Sequence, residues 1–350
     1  MRSFDRGVAV INRVPSGVVR ALADVDRGRG AEHQHRAQVP GLVEQLARRA
    51  RVQSIVASSA LEGVVVPDPS RADRIIGKRP ATLRTRSEQE LAGYRDAVDY
   101  VWQQDWRPLN VGFVLHLHRL LFAHTPLPSG AFKVADNLVV DRGPGGMRSV
   151  RFTPVSARQT PHFVDELMAR YQHEHDVDAH HPLLLVGLLV FDLLVIHPFA
   201  DGNGRVARIL TNAALEDAGY AAARYVSLEQ LVAESADDYY ASLLASTHGW
   251  HAGTHDPWPW LEYLVRQVGR AYALFEQRAR AGEVGGSKRA RVRLFVLSHA
   301  PETFRIADVR AALPGISDGT IRNALDELRA DGRVRVDGTG RGATWSRPRS

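Results

Sequence analysis

The feature that most constrains this chain is a run of 14 residues, Leu183–Ile196, apolar apart from Gly187 and Asp192. It is too short for a bilayer, which needs about 20 residues. A helix that is apolar on every side has to be buried. The run therefore predicts a core helix around which other helices pack. It leads directly into a polar, glycine-rich segment, His197-Pro198-Phe199-Ala200-Asp201-Gly202-Asn203-Gly204-Arg205-Val206-Ala207-Arg208. A rigid core helix ending there would hold those side chains in a fixed place.

The residue types in that segment suit one kind of chemistry. His197, at the end of the buried helix, can act as a general base near neutral pH. Phe199 is apolar between polar neighbours and would anchor the loop in the core. Asp201 is a hard carboxylate suited to Mg²⁺. Gly202 and Gly204 let backbone N–H groups approach an anion, Asn203 adds an amide donor, and the N-terminus of the following helix faces the same place. Arg205 and Arg208, three apart, share a face of its first turn. A base, a metal ligand, an anion nest and two guanidinium groups so close together point to phosphoryl or nucleotidyl chemistry.

Around this segment the pattern is mainly α. Leu42, Leu46 and Ala50 form one helical stripe, Leu115, Leu117, Leu120 and Leu121 crowd another, and Leu261, Leu264, Val265 and Val268 make a third. One β-hairpin is expected at Asn137–Phe152, two short extended runs around a glycine-rich tip. Ala281–Arg291, with three glycines and a basic run, reads as a linker. After it come short helices at Val292–Leu297, Ile306–Leu313 and Thr320–Ala330, the last with Ser317-Asp318 as its N-cap. Arg333–Val336 and Ala343–Trp345 then make a small hairpin. Three helices and a hairpin match a winged helix-turn-helix.

Composition narrows the partners. The chain has 350 residues, so two or three units are expected, and its 44% hydrophobic content can bury a sizeable core. Cysteine is absent, which excludes disulfides, thiolate metal sites and a cysteine nucleophile, and fits a cytoplasmic setting. The first residues have no long apolar run, so a secretory signal is not expected. Residues 288–350 hold 13 Lys/Arg against 7 Asp/Glu, which accounts for the whole net charge of +6. A basic module on a neutral body suggests a polyanion contact there, with DNA as the candidate partner; a solvated surface is the other reading that composition leaves open.

The segment from His197 to Arg208 resembles the signature of the Fic family, His-x-Phe-x-(Asp/Glu)-Gly-Asn-Gly-Arg-x-x-Arg, at every specified position. The resemblance covers about residues 40–275. It implies a helical Fic core and transfer of AMP from Mg·ATP to a Tyr, Thr or Ser hydroxyl of a target protein. In that scheme His197 deprotonates the hydroxyl and Asp201 holds the metal. Gly202, Asn203 and Gly204 stabilise phosphate charge, and Arg205 and Arg208 hold the outer phosphates. Doc-type relatives, which transfer phosphate, carry Ala and Lys where this chain has Gly202 and Gly204, so the glycines favour adenylyl transfer. By the same resemblance the hairpin is a flap that docks the target by strand addition. Val139 and Val140 would touch the nucleotide, and Tyr239, in Ser235–Leu243, would flank the adenine.

A second motif, Ser58-Ser59-Ala60-Leu61-Glu62-Gly63, resembles the family's inhibitory (Ser/Thr)-x-x-x-Glu-(Gly/Asn). Ser58 and Glu62 share a helix face, and Gly63 stands where a helix stops. The resemblance implies an ion pair from Glu62 to Arg208 that blocks productive ATP binding. The expected organisation is an N-terminal helical region carrying this motif at 1–105, a Fic core at 106–280, a linker at 281–291 and a winged helix at 292–350. The alternative is a DNA-binding regulator whose Fic body senses nucleotide without catalysis; intact His197 and Asp201 favour the enzyme. His116 and His118, like His173 and His175, are two apart on a helix and point to different sides, so metal binding by either pair is not expected. His180 and His181 read as polar surface before Pro182.

Overall fold

The structure is a computed structural model that describes residues 2–38, 40–79, 82–142, 148–283, 288–338 and 343–347. It is mostly helical. A helical turn at Ser3–Gly7 leads into α1 (Val8–Ile11), α2 (Ser16–Gln38), α3 (Pro40–Leu61), α4 (Pro69–Ile76), α5 (Arg86–Gln103) and α6 (Val111–Leu121). A hairpin follows, β1 (Val139–Arg142) and β2 (Arg148–Phe152), then α7 (Thr160–Val177), α8 (Pro182–Ile196) and α9 (Asn203–Asp217). The short α10 (Ala222–Tyr225) and α11 (Leu228–Glu234) precede α12 (Ala236–Thr247) and the long α13 (Trp258–Glu283).

The apolar run folds as expected into α8, and its side chains are buried almost without exception. Pro182 sits in its first turn, where no intrahelical N–H is needed, and His181 caps it by accepting from the Leu183 N–H at 3.3 Å. His181 is therefore a helix cap that also bonds Asp26, not plain surface. α7, α9 and α13 pack against α8, and α13 also lies along α2. Asp192 is the one carboxylate inside α8. It is bound by the Ser3 N–H at 3.2 Å, the Ser3 hydroxyl and the Trp250 indole N–H at 2.7 Å. Burial still pushes its pKa up to about 6.

α3 connects distant parts of the molecule. Leu42, Leu46 and Ala50 are buried on one face, and the helix packs against α5, α10 and α11. The other stripes are buried too: Leu261, Leu264, Val265 and Val268 fully, and on α6 Leu117 and Leu121, with Leu115 and Leu120 only partly covered at its edge. In the hairpin, antiparallel pairing sets Val139 opposite Phe152 and Val140 opposite Val150, with an irregularity between Val139 and Val140. Its expected tip, residues 143–147, lies outside the described residues.

Beyond α13 come α14 (Lys288–Ser298), β3 (Thr303–Phe304), α15 (Ile306–Ala312), α16 (Asp318–Ala330), β4 (Arg335–Asp337) and β5 (Thr344–Ser346). The strands form an antiparallel sheet in the order β3-β5-β4. Ser317 caps α16 by accepting from the Thr320 N–H. β3 is too short to leave a period-two pattern in the sequence. Helix also occupies both ends of the segment read as a linker: α13 runs to Glu283 and α14 begins at Lys288. The basic run continues into a turn that buries Val292, Phe295 and Val296, so it is helix start rather than tether. Residues 284–287, the middle of that segment, lie outside the described residues. α15 packs on α3, and α14 on α13. Among the described residues no helix is long and apolar enough to cross a membrane.

Candidate active site

α8 stops at His197, whose backbone is left-handed with φ 53°. Few residues other than glycine adopt that region, and they do so where the surroundings hold them. Here the His197 N–H donates to the Leu193 carbonyl at 3.0 Å. Its Nδ1 lies 3.2 Å from the Leu194 carbonyl, which fixes Nδ1 as the donor and leaves Nε2 with the lone pair. Burial pushes the imidazole pKa down to about 4. At neutral pH the ring is thus uncharged, the form a general base requires.

The loop after His197 is pinned from several sides. Phe199 is fully buried, and its ring stacks on His118 with centroids 3.9 Å apart and planes within 3°. His118 accepts from the Gly130 N–H at 2.9 Å and donates through Nε2 to the Asp201 carbonyl at 3.2 Å. Burial holds its pKa near 4. Lys133, also buried, donates from its backbone N–H to Pro198 at 2.9 Å and from Nζ to Ile196 at 3.3 Å and to Asn137 at 2.8 Å. Burial lowers its pKa to about 8. Asn137, at the foot of the hairpin, donates to the Phe199 carbonyl at 3.0 Å. Hairpin and loop are therefore tied together.

Asn203 departs from its expected role. Its Oδ1 accepts from the Phe199 N–H and its Nδ2 donates to the Phe199 carbonyl, both at 2.8 Å. The side chain is buried, and its Oδ1 and one of its two N–H donors close the loop on Phe199, so its part here is structural, beside that of its backbone at the start of α9. Gly202, the N-cap with φ 80°, requires glycine, while at Gly204 a side chain would have to displace Glu62. A Cβ at Gly202 would press on the Phe122 ring, and one at Gly204 would fall on the Glu62 carboxylate.

The two arginines of α9 diverge. Arg205 is buried and pairs with Glu90 of α5, which also takes Arg86. Its guanidinium lies 3.5 Å from Asp201 and over the Phe122 ring. It therefore braces the loop from behind and stands outside the cleft that Arg208 lines. The reason is rotation: residues three apart on a helix differ by about 60° in direction, enough to face different neighbours at an edge. Asp201 is half-exposed. Its carboxylate accepts from the Gly202 N–H at 2.6 Å and from Arg86 at 3.0 Å.

Arg208 points the other way, into the cleft. Its Nε donates to the Ser58 hydroxyl at 2.7 Å, and Nη2 to the Ser58 carbonyl at 3.1 Å and to the Glu62 carboxylate at 2.8 Å. Burial alone would lower the guanidinium pKa, but Glu62, with Tyr239 and Tyr94 behind it, holds it above the ordinary range. Gly63 follows with φ 74°, and its N–H bonds the Ala60 carbonyl at 2.9 Å, ending α3 where the motif places the stop.

These parts meet in one cavity of about 200 Å³, lined by Glu62, Val139, His197, Gly204, Arg208 and Tyr239 together with Phe152, Tyr240 and Leu243. Tyr239 is buried, which raises its phenol pKa. Val140 is not part of the lining and is exposed, because successive strand side chains point to opposite faces. Nor do Asn203, Arg205 and Asp201 line it; Asp201 stands at the loop above Gly202. Among the described residues no group of three or more His, Cys, Asp or Glu could hold a metal ion. A single exposed carboxylate such as Asp201 fits a cation whose other ligands come from phosphates and water. No local pattern marks Lys133, His118, Glu90 and Arg86 as site residues, because their partners lie from four to more than a hundred residues away.

Fold and site together define a class: a helical protein in which a buried helix hands a neutral histidine to a glycine-bounded helix N-terminus and a clamped arginine. Residues 108–215 match the model of the Fic/DOC family, so the chain contains a Fic domain. It is 28% identical over 183 residues to the protein adenylyltransferase Fic of Nematostella vectensis, covering 51% of this chain and 37% of that one. To the protein of the same name from Drosophila virilis it is 34% identical over 115 residues, 31% of this chain and 20% of that one. The chain thus spans little more than a third of such relatives at most. In fold it resembles the crystal structure of a Fic family protein from Desulfovibrio desulfuricans G20, with a TM-score of 0.63, 19% identity, and 97% and 98% of the two chains covered. It also resembles a Fic domain containing signaling protein from Bacteroides thetaiotaomicron, with a TM-score of 0.59, 20% identity, and 74% and 97% covered.

Proposed function

We propose that this protein is a protein adenylyltransferase that transfers AMP from Mg·ATP to a Tyr, Thr or Ser hydroxyl of a target protein, and that Glu62 holds it in a self-inhibited state. The observation that carries this reading is the shared cavity: the lone-pair nitrogen of a neutral His197, the Gly204 end of α9 and the Arg208 guanidinium line one cleft. His197 takes the proton of the target hydroxyl through Nε2. The hydroxyl oxygen forms a bond to the α-phosphorus, the bond from that phosphorus to the bridging oxygen breaks, and pyrophosphate leaves with the electron pair. The backbone N–H groups at the start of α9 face the phosphate charge. Tyr239 and Val139 offer apolar surface to the base. Asp201 would hold Mg²⁺, which supplies charge neutralisation for the phosphates.

The target docks by adding a strand to the hairpin, whose outward-facing Val140 and Val150 are exposed. We place the reaction in the cytoplasm, where a chain without cysteine needs no oxidising environment. The C-terminal module, read as a winged helix, is the candidate DNA contact. Charge does not favour α16 for that contact: Asp318, Asp326 and Glu327 outnumber Arg322 and Arg329, and Arg289 and Arg293 of α14 are already paired with Glu327 and Asp331. This leaves the regulator reading the weaker of the two. The deciding test is incubation with α-labelled ATP and Mg²⁺. Label on protein that disappears in His197→Ala, with ATP binding retained, supports transfer; equal labelling by the folded His197→Ala variant rejects it.

A further inference from the structure

The first half of α3 forms one wall of a second cavity, of about 620 Å³, whose other walls come from α14, α15 and β5's end at Arg347. Leu42, Leu46 and Phe295 give it apolar lining, and Arg49, His299 and Arg347 give it basic lining. His299 is buried, 7% exposed, and among the described residues its Nε2 has no hydrogen-bond partner; neither has the buried Nε of Arg347. Unpartnered buried polar atoms are rare in folded proteins, and a polar ligand group is one way to satisfy them. Arg347 uses Nη1 and Nη2 on the carbonyls of Leu297 and Ala300, both at 2.8 Å, and Arg49 uses Nη1 on the His299 carbonyl at 3.3 Å. Those carbonyls are neutral, and among the described residues neither guanidinium has an ion-pair partner.

The carboxylates nearby do not fill that place. Glu302 and Asp308 line the cavity but are exposed, and Asp308 accepts from the Arg305 N–H at 2.8 Å as the cap of α15. The crowding of like charge is visible in the titration of the cluster. Burial, then Arg347, lowers Arg49; burial, then Arg49, lowers Arg278; and burial, then Arg278 and Arg49, lowers His299 to about 4. Two guanidinium groups and an unsatisfied imidazole converging on a partly apolar cavity match a ligand with an anionic head and an apolar body.

We propose that this cavity binds a small organic phosphate, with its anionic oxygens against Arg49 and Arg347, a phosphate O–H meeting His299 Nε2, and its body against Leu42, Leu46 and Phe295. The site is separate from the catalytic cleft, although α3 reaches both: it lines this cavity through Gln53 and ends beside Ser58 and Glu62.

The probe is phenyl phosphate, titrated calorimetrically into the full-length protein at an ionic strength held constant with KCl, with inorganic phosphate alongside. Saturable binding of phenyl phosphate is expected, at least fivefold tighter than inorganic phosphate. Arg49→Gln and His299→Leu should each weaken it tenfold or more, and Arg208→Ala should leave it unchanged. No saturation overturns the proposal. So does equal affinity for the two probes, or a loss in Arg208→Ala with none in Arg49→Gln. Should either cavity variant fold poorly, hydrogen exchange on the wild-type protein decides instead. Phenyl phosphate should slow exchange along residues 42–53 and 295–302, and unaltered exchange there rejects the site.

Discussion

Ser58 and Glu62, one helical turn apart, grip the same guanidinium: the Ser58 hydroxyl and carbonyl and the Glu62 carboxylate all bind Arg208. Arg208 is buried, so this charge-assisted contact is stronger than a surface ion pair. Removing the carboxylate frees the guanidinium for a phosphate. A charged hydrogen bond contributes about 1.5–3 kcal/mol, and each 1.4 kcal/mol is tenfold. Glu62→Gly should therefore raise transfer about 10- to 100-fold at saturating Mg·ATP. Arg208→Ala should stay slow, alone or combined with Glu62→Gly, since it removes the clamp along with the pair. Equal rates for Glu62→Gly and wild type would reduce the Ser58–Gly63 segment to an ordinary helix end.

Asn203 offers a test of the loop itself. Its amide closes on both backbone groups of Phe199. In Asn203→Ala the buried Phe199 N–H is orphaned, which costs about 1–3 kcal/mol, while the carbonyl still has Asn137. A fall of several degrees in melting temperature is expected, with weaker ATP binding because the start of α9 loosens. Asn203→Asp keeps the acceptor and should fall between the two. A melting temperature unchanged in Asn203→Ala would rule out this bracing role.

How far the sequence carried can be judged from such residues. The core helix, the hairpin, the stop at Gly63 and the convergence of His197 and Arg208 were legible because each follows from a local pattern or a contiguous motif. What the side chains of Asn203 and Arg205 do was not. Their motif positions are correct, but the choice between ligand and brace depends on Phe199 and Glu90, which approach only in three dimensions. His118 looked like one of two mismatched helix histidines. Its function as a stacking partner of Phe199 arises from a contact across about eighty residues. Val140 was misplaced for a simpler reason: a strand turns alternate side chains apart, and the resemblance carried both valines over together.

The buried histidines set the pH response. His197 has a folded pKa of about 4 against an ordinary 6.5, so on acidification the unfolded chain takes the proton first. The associated stability is present above pH 6.5 and is lost as pH falls towards 4. His118, His255 and His299, each also near 4 because of burial, act in the same direction. Asp192 opposes them: its pKa is raised to about 6, so the folded state gains on protonation between 6 and 3.8. Burial also lowers His116 and raises Glu32, so five groups against two predict net loss of stability from pH 6.5 to 4, measurable as a falling urea midpoint. Within the range where the protein stays folded, the log of kcat/KM should show no acid limb at 6.5; a limb there would mean His197 is more basic than its surroundings imply.

Val139 and Val140 separate the two faces of the hairpin. Val139 lines the cleft beside Tyr239, while Val140 is 38% exposed and pairs across the strands with the exposed Val150. An aspartate at 139 places a carboxylate where the base of the nucleotide would lie, and burying an unpaired charge costs several kcal/mol. Val139→Asp should therefore weaken ATP binding at least tenfold. At 140 the same change reaches solvent, so ATP affinity should match wild type, and the loss should appear in kcat/KM for a protein target, whose added strand would run along this edge. Calorimetry with ATP and a labelling assay with a target protein read the two effects separately. If Val140→Asp weakens ATP binding as much as Val139→Asp, both valines face the nucleotide and the hairpin sits in a register other than the one described; if it leaves target labelling untouched, strand addition at this hairpin is wrong.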